Sequence, residues 1–172
     1  MAFLSDAQIK KQCQENRLVE GYLDQLIGPC SIDVRLGAEI MVETPHSPDL
    51  ERISIAGTSE QYPYFLVPQQ FILAHTVELF NIPDTLCAFF ALKSSRGREG
   101  ISHVLAGFCD AGWSNSRLTL ELHSVRQYHS IPIWHGMPIG QMIFGDMSQA
   151  PEKSYSLVGR YNNCPTVEPS KG

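Results

Sequence analysis

The chain has 172 residues, 43% of them hydrophobic and 18% charged, with a net charge of −5 at pH 7. That length and balance fit one domain built on a single core. The negative net charge and the lack of a Lys/Arg block argue against nucleic acid as the main ligand, and no apolar run approaches the ~20 residues that cross a bilayer. The opening MAFLSDAQIKKQ turns polar at once, unlike a signal peptide. The five cysteines (Cys13, Cys30, Cys87, Cys109, Cys164) are odd in number and form no C-x-x-C pair, as expected of reduced thiols in a cytoplasmic protein.

Ser5-Asp6-Ala7-Gln8 ahead of IKKQCQENRLV predicts a helix with Ser5 as N-cap and Gln8 as its capping-box partner. A second helical turn is expected over Tyr22 to Ile27, before Gly28-Pro29 breaks the chain. Ser31 to Leu36 alternates polar and apolar as a half-buried strand ending at Gly37, and Ala38 to Val42 continues in extended form. Thr44 to Glu60, polar and holding Pro45, Pro48 and Gly57, reads as a loop or irregular hairpin. Further strands fit Tyr64 to Val67, Phe71 to Thr76, Leu86 to Lys93, Ser102 to Phe108, Arg117 to Leu122, Ile131 to Trp134 and Gln141 to Phe144. Many short strands between Gly/Pro turns, with no strand–helix alternation, predict an all-β sandwich, jelly roll or barrel. Gln149 to Gly172 is polar, carries three prolines, and is expected to be a flexible tail whose Tyr155, Arg160 and Tyr161 can close over a ligand.

The densest chemistry lies between Lys93 and Glu121. Lys93 to Gly100 packs two serines, two arginines and two glycines into eight residues. The glycines let backbone approach a ligand closely. Ser94 and Ser95 can donate to phosphate oxygens, and Arg98 can pair with a phosphate bidentately. The spacing is not that of a Walker loop, and a surface turn with solvated arginines is the plainer reading of the cluster taken alone. Downstream, Leu118, Leu120 and Leu122 fall on one strand face, with Thr119 and Glu121 on the other. A carboxylate on a rigid strand, opposite a Gly/Ser/Arg loop, suits proton transfer on an anionic ligand.

Zinc chemistry has no signature here. None of the six histidines has Glu two places on, Pro29-Cys30 is followed by Asp33 where a second Cys would stand, and H-E-x-x-H is absent. No zinc site is therefore expected.

Read in order, LSDAQIKKQ, the stretch from Pro29 to Gly37, Lys93 to Arg98, Ala106 to Trp113, Thr119 to Leu122 and Gly136 to Gln141 resemble the dCTP deaminase branch of the dUTPase-like superfamily. The resemblance covers most of the chain. It implies a single domain over 1–172, mainly β: a distorted jelly-roll β-barrel with a short N-terminal helix. It further implies a homotrimer with active sites shared between subunits, and hydrolytic deamination of dCTP to dUTP and ammonia. No catalytic metal is implied, and Mg²⁺ accompanies the triphosphate. Glu121 is then the general base and acid, its proton affinity raised by a dry pocket. Ser94 and the carbonyl of Ala106 orient the water, Arg98 stabilises developing charge, and Asp110 sits against the nucleoside. Lys93, Ser95, Arg96, Gly97, Thr119, Leu120 and Gln141 complete the nucleotide site, with Tyr155, Arg160 and Tyr161 supplied by the tail. His103 and Val104 fall in a segment that shifts between active and inactive arrangements in that family, with dTTP favouring the inactive one.

The chain also departs from the family pattern. Ala91-Leu92 stand where an acidic residue and Gly often precede the Lys-Ser-Ser run. The stretch from Arg98 to Ala106 is one residue short and that from Trp113 to Glu121 one long, which leaves Ala106 or Gly107 as the carbonyl source. Cys164 replaces an expected glutamine. Asp33, the candidate carboxylate for the α-phosphate, shares a strand face with Arg35, and an ion pair between them is its plainer role. The lack of an unambiguous water-activating group for the α-phosphate and the Cys164 departure lead to the expectation that dUTP accumulates. The alternatives are a bifunctional enzyme that continues to dUMP and pyrophosphate, a plain dUTPase, a deaminase of a modified cytosine nucleotide, and a nucleotide-binding regulator without catalysis.

Overall fold

The structure is a computed structural model that describes residues 2–172. It is mainly β: a nine-stranded antiparallel sheet curled upon itself, with two small two-stranded sheets, Val19–Glu20 with Leu79–Phe80 and Tyr64–Leu66 with Ile131–Ile133. Across the sheet the strands run Phe108–Cys109, Leu86–Leu92, Pro138–Asp146, Ser31–Thr44, Phe71–Thr76, Thr119–Ser124, Ile101–His103. Ile27–Gly28 and Ser47–Ser54 also pair with the long strand Ser31–Thr44. Ile101–His103 and Phe108–Cys109 form opposite edges of this order, yet only residues 104–107 separate them in sequence. Five extended Cα steps span at most about 18 Å, so the two edges must face each other across a seam. The jelly-roll reading of the sequence matches this closure.

The long strand serves both halves of the sheet. Ile32 to Arg35 pair with Pro138–Met142, whereas Leu36 to Val42 pair with Ile72–Thr76. Its register slips between Leu36 and Ile40. Gly37 lies in that slip, and a β-carbon there would overlap the His75 imidazole. Gly140, beside a second slip between Pro138 and Gly140, stands in the same relation to the Phe90 ring. Such bulges bend a strand and increase its twist, and here they curl the sheet. Ile32, Val34, Leu36 and Ile40 enter the core with Phe90 and Phe144.

The N-terminal helix is Asp6–Asn16. Ser5 Oγ accepts from the Gln8 N–H at 3.4 Å and the Gln8 side chain accepts from the Ser5 N–H at 2.9 Å, closing the expected capping box. Ile9 and Cys13, one turn apart, form its buried face. The turn expected over Tyr22 to Ile27 is a 3₁₀ helix at Asp24–Leu26, and the polar stretch after Thr44 resolves into the hairpin strand Ser47–Ser54. The strand expected over Ser102 to Phe108 is instead broken. It stops at His103, and Leu105 takes a left-handed conformation (φ 64) as the chain crosses the seam.

Candidate active site

Strand Thr119–Ser124 sets the direction of the central carboxylate. Leu120, Leu122 and Ser124 are buried while Thr119, Glu121 and His123 are half-buried, the alternation expected from sequence. A one-residue slip would turn Leu120 and Leu122 to solvent, each costing about 1.5–3 kcal/mol. Glu121 therefore projects from the opposite face, into a cavity of about 850 Å³. Ala106, Asp110, Thr119, Tyr155 and Tyr161 line the same cavity. Its floor is apolar: Leu73 is Glu121's cross-strand partner and Met41 is Leu73's, so the three share one row of the sheet.

Sequence reasoning missed several of the cavity's polar walls. Arg117 lines it, with Asp49 from the Ser47–Ser54 hairpin and Glu168 from the C-terminal segment. Arg117 carried a usable signal, since the two-residue period places it on the face of Thr119 and Glu121. Asp49 and Glu168 arrive through long-range folding and had no local signal. Burial pushes the Tyr155 phenol and the Cys109 thiol above their ordinary values, so both stay protonated at neutral pH.

The hydroxyl- and arginine-rich stretch stands apart. Expected to be a loop, Ser94–Glu99 is a helical turn that ends at Gly100 (φ 99). Ser94, Ser95, Gly97 and Arg98 are exposed, and no residue from Lys93 to Arg98 lines the cavity. Arg96 pairs with Glu99 at 2.9 Å and Lys93 pairs with Asp33. Gln141 lies opposite Asp33 across the sheet, its side chain accepting from Ser31 Oγ at 3.4 Å. The ion pair considered between Asp33 and Arg35 is absent. Arg35 Nε instead donates to the fully buried Glu78 at 2.7 Å, leaving Asp33 to Lys93 at the head of the helical turn.

Two other candidates are placed differently from the rest. Leu120 faces the core, so only its backbone can serve a ligand. Arg160 is exposed and does not line the cavity. His103 is buried with Nε2 3.3 Å from Glu121 Oε2, whereas the neighbouring Val104 is exposed.

The C-terminal segment lies along the mouth of its own chain's cavity. The carbonyl of Tyr161 accepts from Trp113 Nε1 and from Ser116 Oγ, both at 2.9 Å. The Arg117 N–H donates to the Cys164 carbonyl at 2.9 Å, and Arg52 donates to the Val167 carbonyl at 2.9 Å. Val167 is fully buried against Met41 and Leu73. Nearer its start, Ser154 Oγ donates to Asp84 at 2.6 Å.

Residues 3–147 match the family model described as dCTP deaminase-like. The chain belongs to the dCTP deaminase-like family. It is 39% identical over 164 residues to a dUMP-forming dCTP deaminase of Leifsonia xyli, covering 88% of this chain and 80% of that one. It is 35% identical to the dUMP-forming dCTP deaminase of Methanopyrus kandleri, over 99% of this chain and 96% of the relative. Among solved structures, the 2′-deoxycytidine 5′-triphosphate deaminase of Agrobacterium tumefaciens superposes with a TM-score of 0.65 at 22% identity. That match covers 83% of this chain and 47% of the other, and it supports the family fold. Among the described residues, no helix is long and apolar enough to cross a membrane, and no cluster of three or more His, Cys, Asp or Glu side chains is placed to hold a metal ion.

Proposed function

We propose that this protein hydrolyses dCTP at C4 and carries the product on to dUMP and pyrophosphate. The observation that carries the reading is the Glu121 carboxylate, fixed by strand alternation and aimed into a cavity shared with Ala106, Asp110 and Thr119. Glu121 takes a proton from water as the oxygen bonds to C4. The C4=N3 electron pair moves onto N3, and Glu121 returns its proton to the amine of the tetrahedral intermediate. The C–N bond breaks to release ammonia, and the proton of the new C4 hydroxyl ends on N3 as the C4 carbonyl forms. The Ala106 carbonyl and Ser94 orient the water, Arg98 stabilises the developing charge, and Asp110 holds the nucleoside. The apolar floor of Met41 and Leu73 gives the pyrimidine a surface to lie against beside Glu121.

The dUMP-forming relatives support the second step, in place of the expectation that dUTP accumulates. Asp33, paired with Lys93 and not with Arg35, is the carboxylate assigned to the water that attacks the α-phosphorus. Ser95, Arg96 and Gln141 bind the phosphates. Mg²⁺ arrives on the triphosphate oxygens and offsets their charge. Because these groups lie outside the cavity that holds Glu121, the complete site forms between copies of the chain, in a homotrimer. dTTP, which shares the triphosphate and deoxyribose, inhibits by favouring an inactive arrangement of the His103-Val104 segment.

The test is a time course with dCTP and Mg²⁺, with nucleotides separated by anion exchange and ammonia assayed in parallel. Ammonia, dUMP and pyrophosphate are expected from the first turnovers without a pool of dUTP. A growing dUTP pool would overturn the second step, and absence of ammonia would overturn the first.

A further inference from the structure

Two buried polar atoms at the candidate site, His103 Nε2 and Glu121 Oε2, have no hydrogen-bond partner. They lie 3.3 Å apart, close enough to bond but not aligned as a bond. The His103 side chain is only 5% exposed, and its ring packs on Phe90 with centroids 4.7 Å apart. The backbone holds the pair together: His103 is the cross-strand partner of Leu122, and the Val104 N–H donates to the Glu121 carbonyl at 3.3 Å. Strand Thr119–Ser124 thus presents a carboxylate to the imidazole, while strand Leu86–Leu92 presents the apolar Phe90. Orphaned polar groups are costly in a buried setting, and a small rotation of either side chain lets each satisfy the other.

We propose that His103 is a positioning residue for Glu121. A neutral imidazole that carries its proton on Nε2 donates to Glu121 Oε2. One oxygen is thereby held and Oε1 is left free for the reacting water. The inference rests on the reading of Glu121 as the base, and it adds a residue to that reading. The Val104 side chain is exposed beside it, and only its backbone N–H serves the pair.

Two substitutions separate this role from simple packing. His103→Phe keeps an aromatic ring against Phe90 and removes the donor, whereas His103→Gln keeps a donor on a flexible stem. The Phe variant should lose about 10- to 100-fold in kcat, the range carried by a hydrogen bond to a charged group, with KM little changed. The Gln variant should recover part of that loss. In a Glu121→Gln background, His103→Phe should add almost nothing, because the two residues act as a unit. The ¹⁵N resonances of the His103 ring read the contact without turnover. They should show a neutral ring protonated at Nε2 and should move in Glu121→Gln. This measurement holds whether or not dCTP is turned over, so failure of the proposed reaction and failure of the pairing are told apart. Full kcat in His103→Phe, additive losses in the double variant, or a ring protonated at Nδ1 would each overturn the proposal. If the Phe variant does not fold, the Gln variant and the ring resonances decide.

Discussion

The cavity around Glu121 and the helical turn from Lys93 to Arg98 are built of opposite materials. Four carboxylates (Asp49, Asp110, Glu121 and Glu168) and a single guanidinium, Arg117, line the cavity over an apolar floor. The turn carries Lys93 and Arg96, half-buried, and Arg98, exposed. Lys93 and Arg96 each have a carboxylate partner, while Arg98 has none among the described residues. The difference teaches where each part of a nucleotide can go. A half-enclosed acidic cavity suits proton transfer at a base and is hostile to a triphosphate. A basic, hydroxyl-rich surface suits the triphosphate and cannot keep a general base dry.

The largest effects should come from breaking each region in turn. Glu121→Gln should cost at least about 10²-fold in kcat with the fold intact by circular dichroism. Arg98→Ala should cost a comparable factor through loss of charge stabilisation. Each variant alone is defective, but on the proposed shared site a trimer refolded from both keeps some sites with an intact Glu121 and an intact Arg98. Activity should therefore reappear on mixing. A mixture no better than its components would place the whole site within one chain.

A smaller effect sharpens the view of the cavity as a rigid half. Gly37 allows the long strand to bend beneath the Met41–Leu73 floor, and a side chain there meets His75. Gly37→Ala should destabilise by about 1–3 kcal/mol through overpacking, lowering the thermal midpoint by about 2–4 °C per kcal/mol in a chain of this size. Gly57→Ala, where a β-carbon meets open space, is the control and should leave the midpoint nearly unchanged.

The smallest effect is a pH dependence behind the same floor. His75 Nδ1 lies 2.8 Å from the Thr76 carbonyl and Nε2 accepts from the Glu39 N–H at 3.3 Å, an arrangement that needs a neutral ring. Burial holds its pKa below the ordinary 6.5. Below about pH 6.5 the unfolded chain then binds a proton that the folded chain refuses, so this contribution to stability is present at neutral pH and is lost as pH falls. Thermal midpoints at pH 7 and pH 5 should differ more for the wild type than for His75→Gln. Equal differences would assign the acid sensitivity to other groups.

What the sequence made legible was local. The leucine alternation gave the direction of Glu121 and the Ser5–Gln8 pair gave the helix start, whereas Gly37, read as a strand end, lies in a register slip inside one long strand. The Ser94–Glu99 turn was read as a loop because six polar and glycine residues carry no apolar period to announce a helix. The partners of Asp33 and Arg35 were misjudged because Lys93 and Glu78 lie 60 and 43 positions away. Strand alternation shows which side chains share a face but not which distant charge arrives there. The C-terminal segment was expected to be flexible from its prolines and polarity. It is tied down instead through backbone carbonyls at Tyr161, Cys164 and Val167 and through the side chains of Ser154, Asn162 and Thr166, whose partners lie far off in the sequence and could not be read from residue type.

One of those bonds makes the chain its own optical reporter. Trp113 is one of only two tryptophans, and its indole N–H is tied to the Tyr161 carbonyl beside the cavity. Indole emission shifts with solvent contact and hydrogen bonding, so the fluorescence of Trp113 registers whether the C-terminal segment is seated. Its arrival and departure can be timed in unlabelled protein, with Trp134→Phe removing the only other tryptophan from the signal.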